Sequence, residues 1–126
     1  MSTKLNDQQL DRVFSAFIHG LKDTDRDVRK SCTESLDIIA TKASEKQLEE
    51  VVNAFIHGLK DEDKYIRKSC EESLGVISEK LNEKQLENAI HTLIDGFKDK
   101  DKDVRESCAR SLGVISTNLT DKQLEG

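Results

Sequence analysis

The chain of 126 residues has no proline and no tryptophan, one tyrosine, one methionine and four phenylalanines. Without proline, no helix interior is forced to kink or break, so uninterrupted helices are permitted throughout. No apolar run approaches the roughly 20 residues that a membrane-spanning helix requires. The opening MSTKLNDQQ also lacks the charged and then apolar layout of a signal peptide. A soluble, cytoplasmic chain with no membrane partner is expected. Positive charge is not in excess: 20 Lys and Arg stand against 25 Asp and Glu, for a net charge of −5. Generic attraction to nucleic acid phosphates or anionic lipid is therefore disfavoured. No segment alternates with period two, so no strand is predicted.

What is present is a repeat. Cys32, Cys70 and Cys108 are spaced by 38 residues, and the sequence around each is similar. The low hydrophobic fraction, 35%, beside 36% charged residues suits an architecture of thin stacked layers. The expected units are residues 6–43, 44–81 and 82–119, with a fourth begun at 120–126. One unit buries too little apolar surface to offset its own ordering entropy, so stacking must supply the remainder. An array of this kind should end in polar capping faces. Val104, Leu112 and Ile115 instead keep the interior pattern in the last complete unit, so a fragment of a longer array, or end-to-end self-association, is expected.

Each unit opens with a capping box. Asn6 and Gln9, Ser44 and Gln47, Asn82 and Gln85, and finally Thr120 and Gln123 occupy the paired positions. Leu5 is expected to staple against Leu10, with residues 1–4 a disordered lead. The first helix of each unit then presents an apolar stripe: Leu10, Val13, Phe14, Phe17, Ile18 and Leu21 in the first, Leu48, Val51, Val52, Phe55, Ile56 and Leu59 in the second, Leu86, Ala89, Ile90, Leu93, Ile94 and Phe97 in the third. Gly20, Gly58 and Gly96 fall near the stripe ends, where the missing side chain permits a bend or a close approach. After a charged turn, Asp25, Asp63 and Asp101 are placed to cap a second helix. Its inner face carries Val28, Cys32, Leu36 and Ile39, then Ile66, Cys70, Leu74 and Ile77, then Val104, Cys108, Leu112 and Ile115.

Chemistry-bearing residues are few in kind. His19, His57 and Asp95 share one repeat position, but layers about 8–10 Å apart separate them too widely for one metal ion at about 2 Å. The same layer spacing exceeds the roughly 7 Å Cα limit for a disulfide, so the three cysteines should be free thiols in a reducing compartment. Their place in the apolar stripe, with no repeated basic neighbour, reads as core filler and not as nucleophiles. Adjacent carboxylates such as Glu49 with Glu50, or Glu71 with Glu72, diverge by about 100° around a helix and do not converge for acid–base work. No cofactor, no metal and no enzymatic activity is expected.

Asp23, Val28 and Arg29, then Asp61, Ile66 and Arg67, then Asp99, Val104 and Arg105 repeat at one spacing. This pattern resembles the HEAT repeat family, and the Ser73 to Gly75 and Ser111 to Gly113 triplets look like the short repeats of bilin lyases. The resemblance covers almost the whole chain and implies an all-α fold, a right-handed α-solenoid of three stacked helix pairs. It also implies that Asp23 with Arg29, Asp61 with Arg67, and Asp99 with Arg105 form a structural ladder between layers, and that the second helices line a concave face. Asp37 stands where the later units have Gly75 and Gly113, so the first unit's second helix is expected to pack differently.

On that face the units differ at Asp27, Tyr65 and Asp103, at Lys30, Lys68 and Glu106, and at Glu34, Glu72 and Arg110. Tyr65, Lys30, Lys68, Glu106, Glu34, Glu72 and Arg110 are the candidate contacts for a protein or peptide partner, Tyr65 foremost because exposed aromatics anchor interfaces. The leading expectation is a protein-binding scaffold with a mixed-charge face. The alternatives are a spacer or engineered segment without a binding role, a relative of the HEAT-like alkylpurine DNA glycosylases, or a bilin lyase relative. The glycosylase reading is weakened by the acidic balance and the lack of tryptophan.

Overall fold

The computed structural model of the chain describes residues 6–125, and within them all regular structure is helical. The helices are α1 (Asp7–Gly20), α2 (Arg26–Ile39), α3 (Glu45–Gly58), α4 (Lys64–Ser78), α5 (Glu83–Asp95) and α6 (Lys102–Glu125). Short 3₁₀ turns follow α2 at Ala40–Lys42 and α5 at Gly96–Lys98. Antiparallel pairs α1/α2, α3/α4 and α5/α6 stack so that first helices lie beside first helices and second beside second. This is an α-solenoid of three helix pairs. The expected staple of Leu5 on Leu10 and the lead at residues 1–4 lie outside the described residues, as does Gly126.

Local sequence explains where the first helices begin. Asn6 accepts the Gln9 amide at 2.9 Å while Gln9 Oε1 accepts the Asn6 amide at 2.9 Å, and Ser44 with Gln47 and Asn82 with Gln85 repeat the exchange. The two later glutamines are buried because they serve twice. Gln47 Nε2 donates to Asp11 at 2.7 Å, and Gln85 Nε2 donates to the Glu45 carbonyl at 3.0 Å, each reaching the preceding pair. A cap worth about 1 kcal/mol in one helix thus also joins two layers.

The turn inside each pair is built from Asp-x-Asp. Asp23, Asp61 and Asp99 accept the amides of Asp25, Asp63 and Asp101 at 2.8, 2.8 and 2.9 Å. The second aspartate of each set then accepts an amide of the helix it opens: Asp27 at 2.8 Å, Ile66 at 3.1 Å and Asp103 at 2.7 Å. Anionic caps at these N-termini also suit the helix dipole.

The fourth expected cap does not form. Helix α6 runs through Thr120 without interruption to Glu125, and Thr120 Oγ1 donates back to the Ser116 carbonyl at 3.0 Å. At Ser44 and Asn82 the chain leaves one helix because a full first helix follows and buries an apolar face. Beyond Thr120 little is buried, Leu124 being 81% exposed, so continuing the hydrogen-bond ladder is the better outcome.

The core is a continuous layer centred on the second pair. There Leu48, Val51, Val52, Phe55, Ile56, Leu59, Ile66, Cys70, Leu74 and Ile77 are all buried. The outer pairs bury their stripes less completely: Val28, Ile94 and Phe97 are exposed, and Leu10, Val13, Phe17, Ile18 and Ile39 are half-buried. Within each pair the helices meet at glycine and cysteine. A β-carbon on Gly20, Gly58 or Gly96 would overlap the sulfur of Cys32, Cys70 or Cys108 respectively. The glycines therefore serve a close approach, with no positive φ involved.

Asp37 does not mark a different packing of α2. It is exposed, a β-carbon at Gly113 would meet open space, and one at Gly75 would meet only Val114 Cγ1, at 3.6 Å. This position faces outward, so either residue fits.

Candidate interaction face of the second helices

Helices α2, α4 and α6 lie side by side and present their charged sides together, because their apolar faces are turned onto α1, α3 and α5. Between α4 and α6 runs a groove of about 610 Å³ that gathers Lys68, Glu72, Glu106 and Arg110. Between α2 and α4 a smaller groove, about 370 Å³, holds Glu34 and again Glu72. Tyr65 is 46% exposed at the start of α4, and Lys30 Nζ sits 4.7 Å from its ring centroid. Five of the seven candidate contacts thus line two neighbouring grooves, while Tyr65 and Lys30 pair with each other outside them.

Several of them are engaged within the chain. Arg110 grips Glu71 with two hydrogen bonds, 2.7 and 3.2 Å, and that contact is what raises the Arg110 pKa. Lys30 over Tyr65 is a cation–π contact between layers. Lys68, Glu34, Glu72 and Glu106 form no ion pair within 4.0 Å among the described residues. On α6, Ser107, which lines the α4–α6 groove, and Ser111 are buried and their hydroxyls find no hydrogen-bond partner among the described residues.

The Asp/Arg positions are arranged differently from a uniform ladder. Every arginine first braces its own turn: Arg29 Nη1 donates to the carbonyls of Asp23 and Thr24, Arg67 to those of Asp61 and Glu62, and Arg105 to those of Asp99 and Lys100, all at 2.8–3.1 Å. Only Arg29 also forms a bidentate pair with the next layer, to Asp61 at 2.9 and 3.2 Å, and both side chains are 9% exposed. Arg67 does not pair with Asp99. Its Nη2 lies 3.8 Å from Asp103, which stands where the second pair has Tyr65. Asp103 offers Arg67 a carboxylate that Tyr65 does not offer Arg29, and Glu62, 3.7 Å from Arg29 Nη2, stands where the third pair has Lys100. Arg26 adds a second contact across the first joint, to Asp63, and this holds the Asp63 carboxyl below the usual carboxylate range.

The remaining chemistry-bearing residues do not converge. His19, His57 and Asp95 are exposed, with the two histidines lining a shallow groove between α1 and α3. Among the described residues no group of three or more His, Cys, Asp or Glu side chains is placed to hold a metal ion. Cys32, Cys70 and Cys108 are free thiols whose pKa values burial pushes up, Cys70 to about 12. A thiol so placed is protonated at neutral pH and a poor nucleophile. No helix of the described residues is long and apolar enough to cross a membrane.

The reading of the residues alone missed a further row on this face. Ile38, Val76 and Val114 are 73%, 63% and 47% exposed, one position before the buried or half-buried Ile39, Ile77 and Ile115. The signal was available: each unit has two consecutive β-branched residues there, and neighbours on a helix diverge by about 100°.

The family model of the sister chromatid cohesion protein PDS5 protein matches residues 7–119. The chain belongs to this family. Three solved structures described as crystal structures of engineered proteins share the fold of this PDS5-family chain. One is 18% identical with a TM-score of 0.53 and is matched over 87% of this chain and 30% of its own. Another is 18% identical with a TM-score of 0.52, over 94% of this chain and 52% of its own. A third is 15% identical with a TM-score of 0.52, over 94% and 53%. The PDS5-family chain thus spans between about a third and a half of these proteins, and at such identities the likeness is one of fold alone. No curated protein matches the chain. None of these matches is a bilin lyase or a DNA glycosylase.

Proposed function

We propose that this PDS5-family chain is a protein-binding scaffold whose second-helix face receives a peptide or helix of a partner. The observation that carries the reading is the division of labour between faces. The inner sides of α2, α4 and α6 are consumed by packing and Asp23, Asp61 and Asp99 by the turns, while on the outer sides of these helices the units differ at Asp27, Tyr65 and Asp103, at Lys30, Lys68 and Glu106, and at Glu34, Glu72 and Arg110. Tyr65 is 46% exposed there, and Lys68, Glu34, Glu72 and Glu106 line the grooves of that face without ion-pair partners among the described residues. Elevated thiol pKa values and the scatter of histidines and carboxylates favour binding over catalysis. The family description, sister chromatid cohesion, is compatible with a scaffold and adds no partner.

Selection of random peptides displayed on phage tests the reading. Enriched peptides should lose binding to the variants Tyr65→Asp and Lys68→Glu, which replace exposed side chains and leave the helical circular dichroism intact. Peptides that bind both variants as well as the parent chain would remove the assignment to this face. A spacer without a binding role is the second reading, favoured by the engagement of Lys30 with Tyr65 and of Arg110 with Glu71 inside the chain. It would be upheld by the absence of any enriched peptide.

A further inference from the structure

The row Ile38, Val76 and Val114 contributes nothing to the core, since the inner face of each helix is already supplied by the residue that follows. Its regularity is therefore a property of the outer face. Beside it, at Gly75 and Gly113, lies helix backbone without side chains. A β-carbon at Gly113 would meet nothing within 4 Å, and one at Gly75 only Val114 Cγ1, at 3.6 Å. An incoming chain can approach closely there. In the groove of about 370 Å³ between α2 and α4, Ile38 and Val76 form apolar walls and Glu34, Asp37 and Glu72 charged ones. These three carboxylates form no ion pair among the described residues, and no Lys or Arg lines the groove. The last turns of α2 and α4 likewise carry no basic residue, so the negative ends of both helix dipoles add to the carboxylates. The adjacent α4–α6 groove is different, because Arg110 and Arg67 already face Glu71 and Asp103.

We propose that this face takes an extended segment of a partner protein with an aliphatic side chain at every third position and Lys or Arg between. The inference rests on the scaffold reading and specifies the partner class of that face. Neighbouring helices in a stack lie about 8–10 Å apart. A polyproline II segment advances about 3.1 Å per residue with three residues per turn, so every third side chain returns to one side after about 9 Å. Three such side chains meet Ile38, Val76 and Val114 in turn. The intervening cations lie over Glu34, Asp37 and Glu72, and a segment with acidic residues there is repelled. A helix laid across the row presents side chains every 5.4 Å per turn, which matches the row only at alternate turns.

The probe is a fluorescein-labelled peptide of three Leu-Lys-Pro triplets, followed by fluorescence anisotropy against the whole chain. The controls are a peptide of the same composition with its leucines contiguous and one of three Leu-Glu-Pro triplets. The triplet peptide is expected to bind at least about tenfold more tightly than either control. Val76→Ser and Glu72→Lys, both at exposed positions, should each weaken it about tenfold while circular dichroism is unchanged. Equal binding of the contiguous-leucine peptide, no effect of either substitution, or no binding of the probe each overturns the inference. If phage-selected peptides still depend on Tyr65 and Lys68 while the Leu-Lys-Pro probe does not bind, the scaffold reading stands and only this inference falls. If no peptide depends on any residue of the face, both fall.

Discussion

The joint between the first and second helix pairs and the joint between the second and third share their apolar layer but not their polar contacts. At the first, Arg29 forms a bidentate pair with Asp61, Arg26 meets Asp63, and Lys30 covers Tyr65, all near the start of α2 and α4. At the second, the equivalent positions hold Arg67 at 3.8 Å from Asp103. The tight contacts have moved down the helices, to Arg110 with Glu71 and Asn118 with Ser78. Similar stacking is therefore compatible with two sets of cross-layer contacts. The stack is held by what the units have in common, and the polar contacts tune each joint. The second joint, fastened lower down, leaves the N-terminal ends of α4 and α6 to be lined by Lys64, Lys68 and Asp103.

That conclusion breaks if the common packing proves dispensable. Gly58→Ala places a β-carbon onto Cys70 Sγ, at the centre of the pair that serves both joints. Alanine gains up to about 1 kcal/mol in helix propensity, yet overpacking a filled core costs about 1–3 kcal/mol, and Cys70 is fully buried with little room to shift. A net loss of about 1–2 kcal/mol is expected by urea denaturation. Cys70→Ala in the same background should recover part of it by removing the sulfur. A stable Gly58→Ala chain would mean that the joints rest on their polar contacts after all.

The features legible in the residues are the local ones. Capping boxes at Asn6, Ser44 and Asn82, and the Asp25, Asp63 and Asp101 caps, are fixed within four residues, so spacing alone locates them. The second role of Gln47 and Gln85 was not legible, because its partners Asp11 and Glu45 lie 36 and 40 residues away. The same distance in sequence explains the arginines. Arg29 and Arg67 stand in one repeat position, and the residues across the layer from them differ, Glu62 and Tyr65 at the first joint, Lys100 and Asp103 at the second. At Thr120 a cap signature was present and unused, since a cap is worth about 1 kcal/mol and does not by itself end a helix where the next residues, such as the 81% exposed Leu124, bury little. The Ile38, Val76 and Val114 row was in plain view. Its inward neighbours Ile39, Ile77 and Ile115 complete the helical stripe, so the apolar pattern alone does not mark the outward member of each doublet.

The difference between the joints sharpens under matched substitution of their aspartates. Asp61→Asn keeps an oxygen for the Asp63 amide but removes the charge that faces Arg29, both side chains being 9% exposed. The expected loss is about 1–2 kcal/mol. Asp99→Asn retains the bond to the Asp101 amide and disturbs no cross-layer guanidinium, so its effect should stay within about 0.5 kcal/mol. Equal losses in the two variants would show that both aspartates act only within their own turns, and the distinction between the joints would lose its energetic content.

The smallest expected effect is in the acid limb. The Asp63 carboxyl is held below its ordinary range, first by the side-chain hydrogen bond from Arg26, against an opposing cost of desolvation that ranks next, with the Ile66 amide lowering it further. A carboxyl whose pKa is lower in the folded than in the unfolded chain binds fewer protons when folded. Its contribution is complete above the unfolded value of about 3.9 and disappears as pH falls through the lowered folded value. The contact is solvent-screened, so the contribution is small. Stability measured by urea denaturation from pH 6 to pH 2.5 should therefore fall less steeply below about pH 4 in Asp63→Asn than in the parent chain. The asparagine still accepts the Ile66 amide, so the cap survives and the change in slope reports the contacts of the carboxylate, that with Arg26 the largest among them. Identical slopes would mean that this cross-layer pair contributes nothing to the first joint in solution, leaving the contacts of Arg29 with Asp61 and, at 3.7 Å, Glu62 and of Lys30 with Tyr65.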